Sequence, residues 1–326
     1  MPVLPTPDLK PPAFLFNQHL ETIVPSLFRK VTAPAYVRER ITTPDGDFLD
    51  LDWSQVGSVK LVILSHGLEG DSQRPYIRGM ARTFAAAGYD VLAWNYRGCS
   101  GEINRLVRSY HSGATEDLEV VVHRALQKFP YTAITLIGFS LGGNLTLKYL
   151  GEKGKNLRPE IKNAITVSVP CDLLGSAKML GTLNNFVYQR RFLKSLRQKL
   201  KQKQLLHPAE ESLKNESRLA DFFAFDNFYT APAHGFAGAE AYYKACSSLY
   251  FLGTIQIPTL LINAQNDPFL SQSCFPVKEA EKSEFVFLEM PERGGHVGFC
   301  SDFRKDIYYS ELRALQFSES HQKPAG

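Results

Sequence analysis

The chain has 326 residues, 44% of them hydrophobic and 21% charged, which is the composition of a globular protein with a substantial core and excludes a disordered or fibrous chain. The net charge is +4, but residues 173–209 hold eight Lys/Arg and no Asp or Glu, so the remainder has 29 basic against 33 acidic residues and is not built to coat nucleic acid. No apolar run approaches the roughly 20 residues that span a bilayer, and the five scattered cysteines form no C-x-x-C pair, which removes support for a zinc site or a disulfide framework.

Residues 1–34 are proline-rich, lack the charged-then-apolar design of an export signal, and read as an irregular N-terminal arm. Together with the cysteine usage this predicts a cytoplasmic protein. "YVRERITTPDGDFLDLDW" alternates on both sides of a Pro-Asp-Gly-Asp turn and predicts a β-hairpin. "KLVILSHG" follows as a short, wholly apolar strand, then "RPYIRGMARTFAAAGY" as a helix and "DVLAWNYRG" as another strand. "TEDLEVVVHRALQKF" reads as a helix opened by Thr115, with Glu116 and Asp117 in its first turn.

Next comes "AITLIGFSLGGNL". Leu136 and Ile137 close a buried strand that opens at Ala133, and a proline-free helical stretch starts at Leu141. Turning from strand to helix within about three residues needs backbone room, which Gly138 and Gly142 supply on either side of Ser140. This G-x-S-x-G pattern places the serine hydroxyl on a strained, exposed turn, although Gly and Ser also make ordinary turns. "NAITVSV" is the sixth strand. The alternation breaks at Pro170, and residues 171–252 read as helix and loop. It resumes with "IPTLLINA", a helix around 275–283, "EFVFLEM" and a closing helix near 303–317.

This order predicts an α/β fold, and the G-x-S-x-G turn between a strand and a helix makes it one of the α/β-hydrolase type. Its sheet is mostly parallel, preceded by an antiparallel hairpin, with a helical cap inserted after the sixth strand. The expected organisation is an arm (1–34), a core (35–170 and 253–320) and a cap (171–252).

A serine hydroxyl is a poor nucleophile unless a base takes its proton, and that base must be oriented by a third group. In this fold the order is serine, acid, histidine, each on a loop at a strand's C-terminal end. Asp267 follows "TLLINA" and His296 follows "FVFLEM", with Gly294 and Gly295 allowing that loop to turn back. Asp172, after the sixth strand, is the rival acid, and His111 is the rival base. The oxyanion hole requires two N–H groups. Leu141, after the serine, and Leu68, in "SHGLEGDS", are the candidates, the alternative for Gly67 and Gly70 being a plain turn.

Residues 220–251 hold ten of the chain's 38 Phe, Tyr and Trp, as an acyl-chain lining or as the core of the cap itself. "RRFLKSLRQKLKQK" sets Leu193, Leu196 and Leu200 on one helical stripe among seven basic residues. The favoured reading is a solvated basic face whose leucines pack on the cap; contact with an anionic membrane surface through residues 186–204 is the alternative. Phosphate-loop, dinucleotide and metal motifs are absent, so no cofactor and no metal is expected.

From about residue 14 to residue 305 the chain resembles the YheT-like branch of the α/β-hydrolase superfamily. The matching stretches are "NQHLETIVPSL", "SHGLEGDS", "NYRGCSG", "YHSGATEDL", "GFSLGGN", "VPCDLLGS", "YTAPAHGFAGAEAYY", "NDPF" and "GGHVGF". The resemblance implies a carboxylic-ester hydrolase with Ser140, Asp267 and His296 as nucleophile, acid and base. Members often carry two acids before the proline, where this chain has Asn266-Asp267. Eukaryotic relatives often have an N-terminal membrane anchor that is missing here, which implies a soluble, bacterial version. The expected substrate is a short- to medium-chain acyl ester or a lipid-like ester. An acyltransferase using the same triad and a non-catalytic binding protein on the same fold are the alternatives.

Overall fold

The computed structural model describes residues 3–210, 213, 219–302 and 306–322. Eight strands form one sheet: β1 (Val37–Thr42), β2 (Phe48–Ser54), β3 (Lys60–Ser65), β4 (Asp90–Asn95), β5 (Ala133–Phe139), β6 (Ile161–Val167), β7 (Thr259–Ile262) and β8 (Val286–Glu289). Their order is β1-β2-β4-β3-β5-β6-β7-β8. The first hairpin turns at Gly46 (φ +83°), β2 pairs antiparallel with β4, and all later pairings are parallel.

Strand β2 is buried along its whole length, including Asp50 and Asp52. The register explains how those carboxylates are tolerated. Arg40 lies opposite Asp50 and Arg38 opposite Asp52, and each guanidinium contacts both oxygens of its partner at 2.8 Å.

The expected irregular arm instead contains helix α1 (Gln18–Phe28). Asn17 caps it, its side chain accepting from the N–H groups of His19 and Leu20. Arg29, at its C-terminal end, reaches into the core and pairs with Glu311 at 2.5 and 2.9 Å, both side chains being buried. The signal was present in the sequence, because Asn17 precedes apolar residues at helical spacing (Leu20, Ile23, Val24, Leu27). The prolines upstream and Pro25 within the segment obscured it.

Helices α2 (Pro75–Ala86), α3 (Thr115–Lys128) and α4 (Leu141–Lys153) connect the parallel strands. The cap follows β6 as α5 (Leu173–Leu180), α6 (Phe186–Leu206), α7 (Phe222–Phe225), α8 (Ala231–Ala233) and α9 (Ala239–Cys246). Helix α10 (Val277–Glu281) precedes β8, and α11 (Tyr309–Ser320) closes the chain, starting later than expected, where the Glu311 carboxylate accepts the Tyr308 N–H. Helices α3, α4 and α10 pack on one face of the sheet and α2 and α11 on the other, giving two layers of core.

The chain runs from β3 to β4 on one side of the sheet, then returns to place β5 on the other side of β3. Adjacent loops therefore diverge at the C-terminal ends of β3 and β5. In open α/β sheets this crevice is where ligands bind. Leu68 and Ser140 lie on those two loops.

Candidate active site

Ser140 sits between β5 and α4 with φ +52° and ψ −117°, a strained conformation for a residue with a side chain. Two close approaches hold it there. A Cβ on Gly138 would lie 2.2 Å from the Gly142 carbonyl oxygen, and one on Gly142 would lie 2.4 Å from the Ser65 carbonyl oxygen. Only glycine fits at either position, which is the physical content of the sequence pattern.

His296 reaches Ser140 from the loop after β8, its Nε2 lying 2.9 Å from the serine Oγ. Its Nδ1 is 2.8 Å from Asp267 Oδ2 and 3.1 Å from Oδ1. An ionised carboxylate can only accept, so Nδ1 carries the proton and Nε2 is left free to take one from the serine. The Asp267 side chain is fully buried and also accepts the Phe269 N–H at 2.9 Å. The Phe269 ring lies 4.2 Å from the imidazole and shields it.

The rivals are occupied elsewhere. Asp172 caps α5, accepting from the Gly175 N–H and the Ser273 hydroxyl. The His111 ring lies tilted against His234, with centroids 4.3 Å apart, and its Nδ1 accepts the Gly113 N–H.

Helix α1 contributes residues that the sequence reading missed. The Glu21 carboxylate accepts from Arg293, the Gly294 N–H and the Asn266 side chain, so it braces the histidine loop and the aspartate loop together. Thr22 Oγ1 accepts the His296 N–H at 2.9 Å, and Ser168 Oγ, after β6, accepts the next N–H, from Val297. The loop is tight: a Cβ on Gly295 (φ +58°) would lie 2.8 Å from Thr22 Oγ1.

The N–H of Leu141 is at the start of α4, where no intrahelical acceptor exists. Leu68 follows Gly67, whose own N–H donates to the Tyr76 hydroxyl at 3.0 Å. Neither leucine N–H meets a protein acceptor among the described residues. Beneath this loop His66 is completely buried, which pushes its pKa down to about 3 and keeps it neutral.

Two cavities meet at Ser140. One, of about 200 Å³, opens between α1 and α6 and is lined by Leu68, Tyr188, Phe269 and His296, with Arg74 and Arg191 at its rim. The other, of about 120 Å³, runs under the cap past Leu141 to Phe222, Phe225, Tyr242 and Tyr243. The cap aromatics therefore serve both as core and as lining. Asp226 lies at the apolar end, and burial pushes its pKa up to about 6.

Residues 60–302 match the family model described as the alpha/beta hydrolase fold. An Escherichia coli protein named "Putative esterase YheT" is 35% identical over 292 residues, covering 87% of this chain and 84% of its own. The chain belongs to the YheT branch of the α/β-hydrolase fold family. As a member of that branch it is classed with the carboxylic-ester hydrolases. A mouse protein named phospholipase ABHD3 is 29% identical over 81% of this chain and 66% of its own. A Pyrococcus furiosus esterase superposes with a TM-score of 0.60 at 19% identity, covering 91% of this chain and all of that one, a likeness of fold.

In this α/β hydrolase the basic stripe of α6 departs from the solvated face expected of it. Leu193, Leu196 and Leu200 are buried in the cap core, as the favoured reading has it. Lys199 and Lys203, however, turn inward: Lys199 donates to Glu69 Oε1 at 2.7 Å, and Lys203, fully buried, donates to the Leu106 and Arg108 carbonyls. Apolar spacing locates the buried stripe, but the amphipathic stems of lysines beside it can follow it inward. No helix among the described residues is long and apolar enough to cross a membrane.

Proposed function

We propose that this protein is a serine esterase working through an acyl-enzyme. Ser140 is the nucleophile, His296 the general base and then acid, and Asp267 the group that holds the imidazole tautomer. As Ser140 Oγ attacks an ester carbonyl, its proton passes to His296 Nε2, and the imidazolium is stabilised by the buried Asp267 carboxylate. The tetrahedral oxygen is received by the N–H groups of Leu68 and Leu141, and loss of one such donor typically costs about 2.7–4 kcal/mol. Collapse expels the alcohol, which takes the proton from His296, and water repeats the sequence to free the acid.

What carries this reading is the continuous chain of contacts Asp267–His296–Ser140 at 2.8 and 2.9 Å, placed where two cavities meet. The narrower cavity under the cap suits a short- to medium-chain acyl group, and the wider one, with Arg74 and Arg191 at its rim, suits the alcohol portion. We also take residues 171–252 as one cap resting on a core of 35–170 and 253–320, with 1–34 as an arm. Five free, buried cysteines support a reducing, cytoplasmic setting.

A fluorophosphonate probe tests the nucleophile. The wild type should be labelled once and Ser140→Ala not at all; labelling that survives the substitution, or that moves to another serine, refutes the mechanism. A panel of chromogenic esters of increasing acyl length then tests the substrate class, with activity expected to peak at short to medium chains.

A further inference from the structure

The loop that carries Leu68 is held from two directions. From the core, Tyr76 accepts the Gly67 N–H, Tyr110 Oη accepts the Glu69 N–H at 3.0 Å, and Arg74 donates to the Glu69 carbonyl at 2.7 Å. From the cap, α6 supplies Lys199, whose Nζ lies 2.7 Å from Glu69 Oε1, and Ser195, whose hydroxyl donates to Oε2. Tyr110 completes the set by donating to Oε1 at 2.7 Å.

Glu69 is an unusual residue to find here. Its side chain is only 5% exposed, and its backbone φ is +52°, the left-handed region that favours glycine. A buried carboxylate is expensive without a cationic partner, and among the described residues its salt bridge is to Lys199. A strained backbone of this kind persists only where its surroundings over-determine it. Glu69 directly follows Leu68 and Gly67 precedes it, so with the Glu69 and Gly67 N–H groups both held, the Gly67–Leu68 peptide that carries the Leu68 N–H is confined from both sides.

Ser195 and Lys199 are four residues apart and share one face of α6, while Leu193, Leu196 and Leu200 bind the other face to the cap core. Arg191 and Phe192, one turn earlier, line the cavity that opens over Ser140. Helix α6 thus roofs the site and grips the loop beneath it. The contact joins residues 130 positions apart in the chain.

We propose that Lys199 and Ser195 are positioning residues: by clamping Glu69, α6 sets the Leu68 N–H for the oxyanion, so that the oxyanion hole is complete only when the cap is seated. This rests on Leu68 being an oxyanion donor. The cap then has a catalytic consequence beyond walling the cavities, because Lys199 acts on the transition state through Glu69 and the Leu68 backbone rather than through the reacting atoms.

The test uses the full-length protein with Lys199→Met, Ser195→Ala and Lys199→Arg, each titrated with a fluorophosphonate so that rates refer to competent serines. A displacement of about 1 Å at a catalytic group costs on the order of 100-fold. Lys199→Met should therefore lower kcat about 10- to 100-fold with KM little changed. Affinity for a trifluoromethyl ketone, which forms a tetrahedral adduct with the serine, should fall by the same factor. A merely structural lysine would lower the titre of active sites and leave the kcat per site and the ketone affinity intact. Ser195→Ala should show a smaller loss of the same kind, and Lys199→Arg should recover most of the rate. Fully titrating variants that keep kcat and ketone affinity within twofold overturn the proposal. Where Lys199→Met yields no folded protein, Ser195→Ala decides by the same criterion. A wild type that the probe fails to label overturns the triad and this clamp together, whereas a labelled wild type with unaffected variants overturns the clamp alone.

Discussion

Replacing Glu21 with alanine removes one carboxylate that braces two loops of the site. The Glu21 side chain is 2% exposed and takes Arg293 Nε at 2.8 Å, the Gly294 N–H at 2.7 Å and the Asn266 side chain at 3.0 Å. Breaking a buried ion pair by deleting one partner typically costs about 3–5 kcal/mol. Here Arg293 is 38% exposed and can recover hydration, whereas the Gly294 N–H is buried and cannot. An expected loss of about 2–4 kcal/mol follows, since each buried donor left without a partner costs about 1–3 kcal/mol. Activity should suffer separately, because Gly294 lies two residues before His296 and Asn266 lies beside Asp267. A shift of about 1 Å in either loop would lower kcat on the order of 100-fold. Urea denaturation measures the first effect, and kcat on a soluble chromogenic ester, at a temperature where the variant is fully folded, measures the second. Glu21→Gln, which keeps the shape but loses the charge, should fall between alanine and wild type. A Glu21→Ala protein with stability within about 0.5 kcal/mol of wild type and an unchanged kcat would refute the claim that α1 braces the site.

Asp267→Asn should lower kcat on the order of 10⁴-fold by favouring the wrong imidazole tautomer, while Asp172→Asn, which disturbs only the cap of α5, should cost far less; the opposite ranking in steady-state kinetics reassigns the acid. His66 is held at about 3 when folded and titrates at its ordinary value near 6.5 when unfolded, so below pH 6.5 the unfolded chain binds a proton that the folded one refuses. Stability should therefore fall as the pH drops from 6.5 toward 3, with His66 contributing up to about 1.4 kcal/mol per pH unit, and a His66→Gln variant with the same acid slope in denaturant titrations contradicts this. Binding to anionic vesicles should be weak at low salt, and reversing Arg190, Lys194 and Arg197, which line neither cavity, should leave small-ester kinetics unchanged, because the leucines of α6 are committed to the cap core; tight, salt-sensitive co-sedimentation would shift the substrate toward membrane lipids.

The parts of this protein that were legible in its sequence are those governed by neighbours a few residues apart. Apolar runs gave the parallel strands, Pro-Asp-Gly-Asp gave the first hairpin, and Gly138 and Gly142 marked the turn at Ser140 because a strand entering a helix so sharply leaves no room for a Cβ. The alternation of strands with helices implied a parallel sheet, whereas the order β4-β3-β5, and hence the crevice beside β3 and β5, is a property of the folded sheet. Asp267 and His296 were nominated by lying after strand ends, a position that Asp172 also satisfies. Choosing between two loops that follow neighbouring strands but lie far apart in sequence required the packed sheet, which turns Asp267 toward the imidazole and Asp172 toward Ser273.

The same limit explains what was missed. Glu21 binds groups 245 to 273 residues away, and Lys199 binds Glu69 across 130. No periodicity records such pairs, because a carboxylate or an ammonium reads as a solvated surface group until the tertiary fold buries it and supplies its partner. Local spacing thus determines which segments become strands, helices and the serine turn. Only the assembled structure decides which buried charges meet, and in this protein those meetings hold the loops of the site in place.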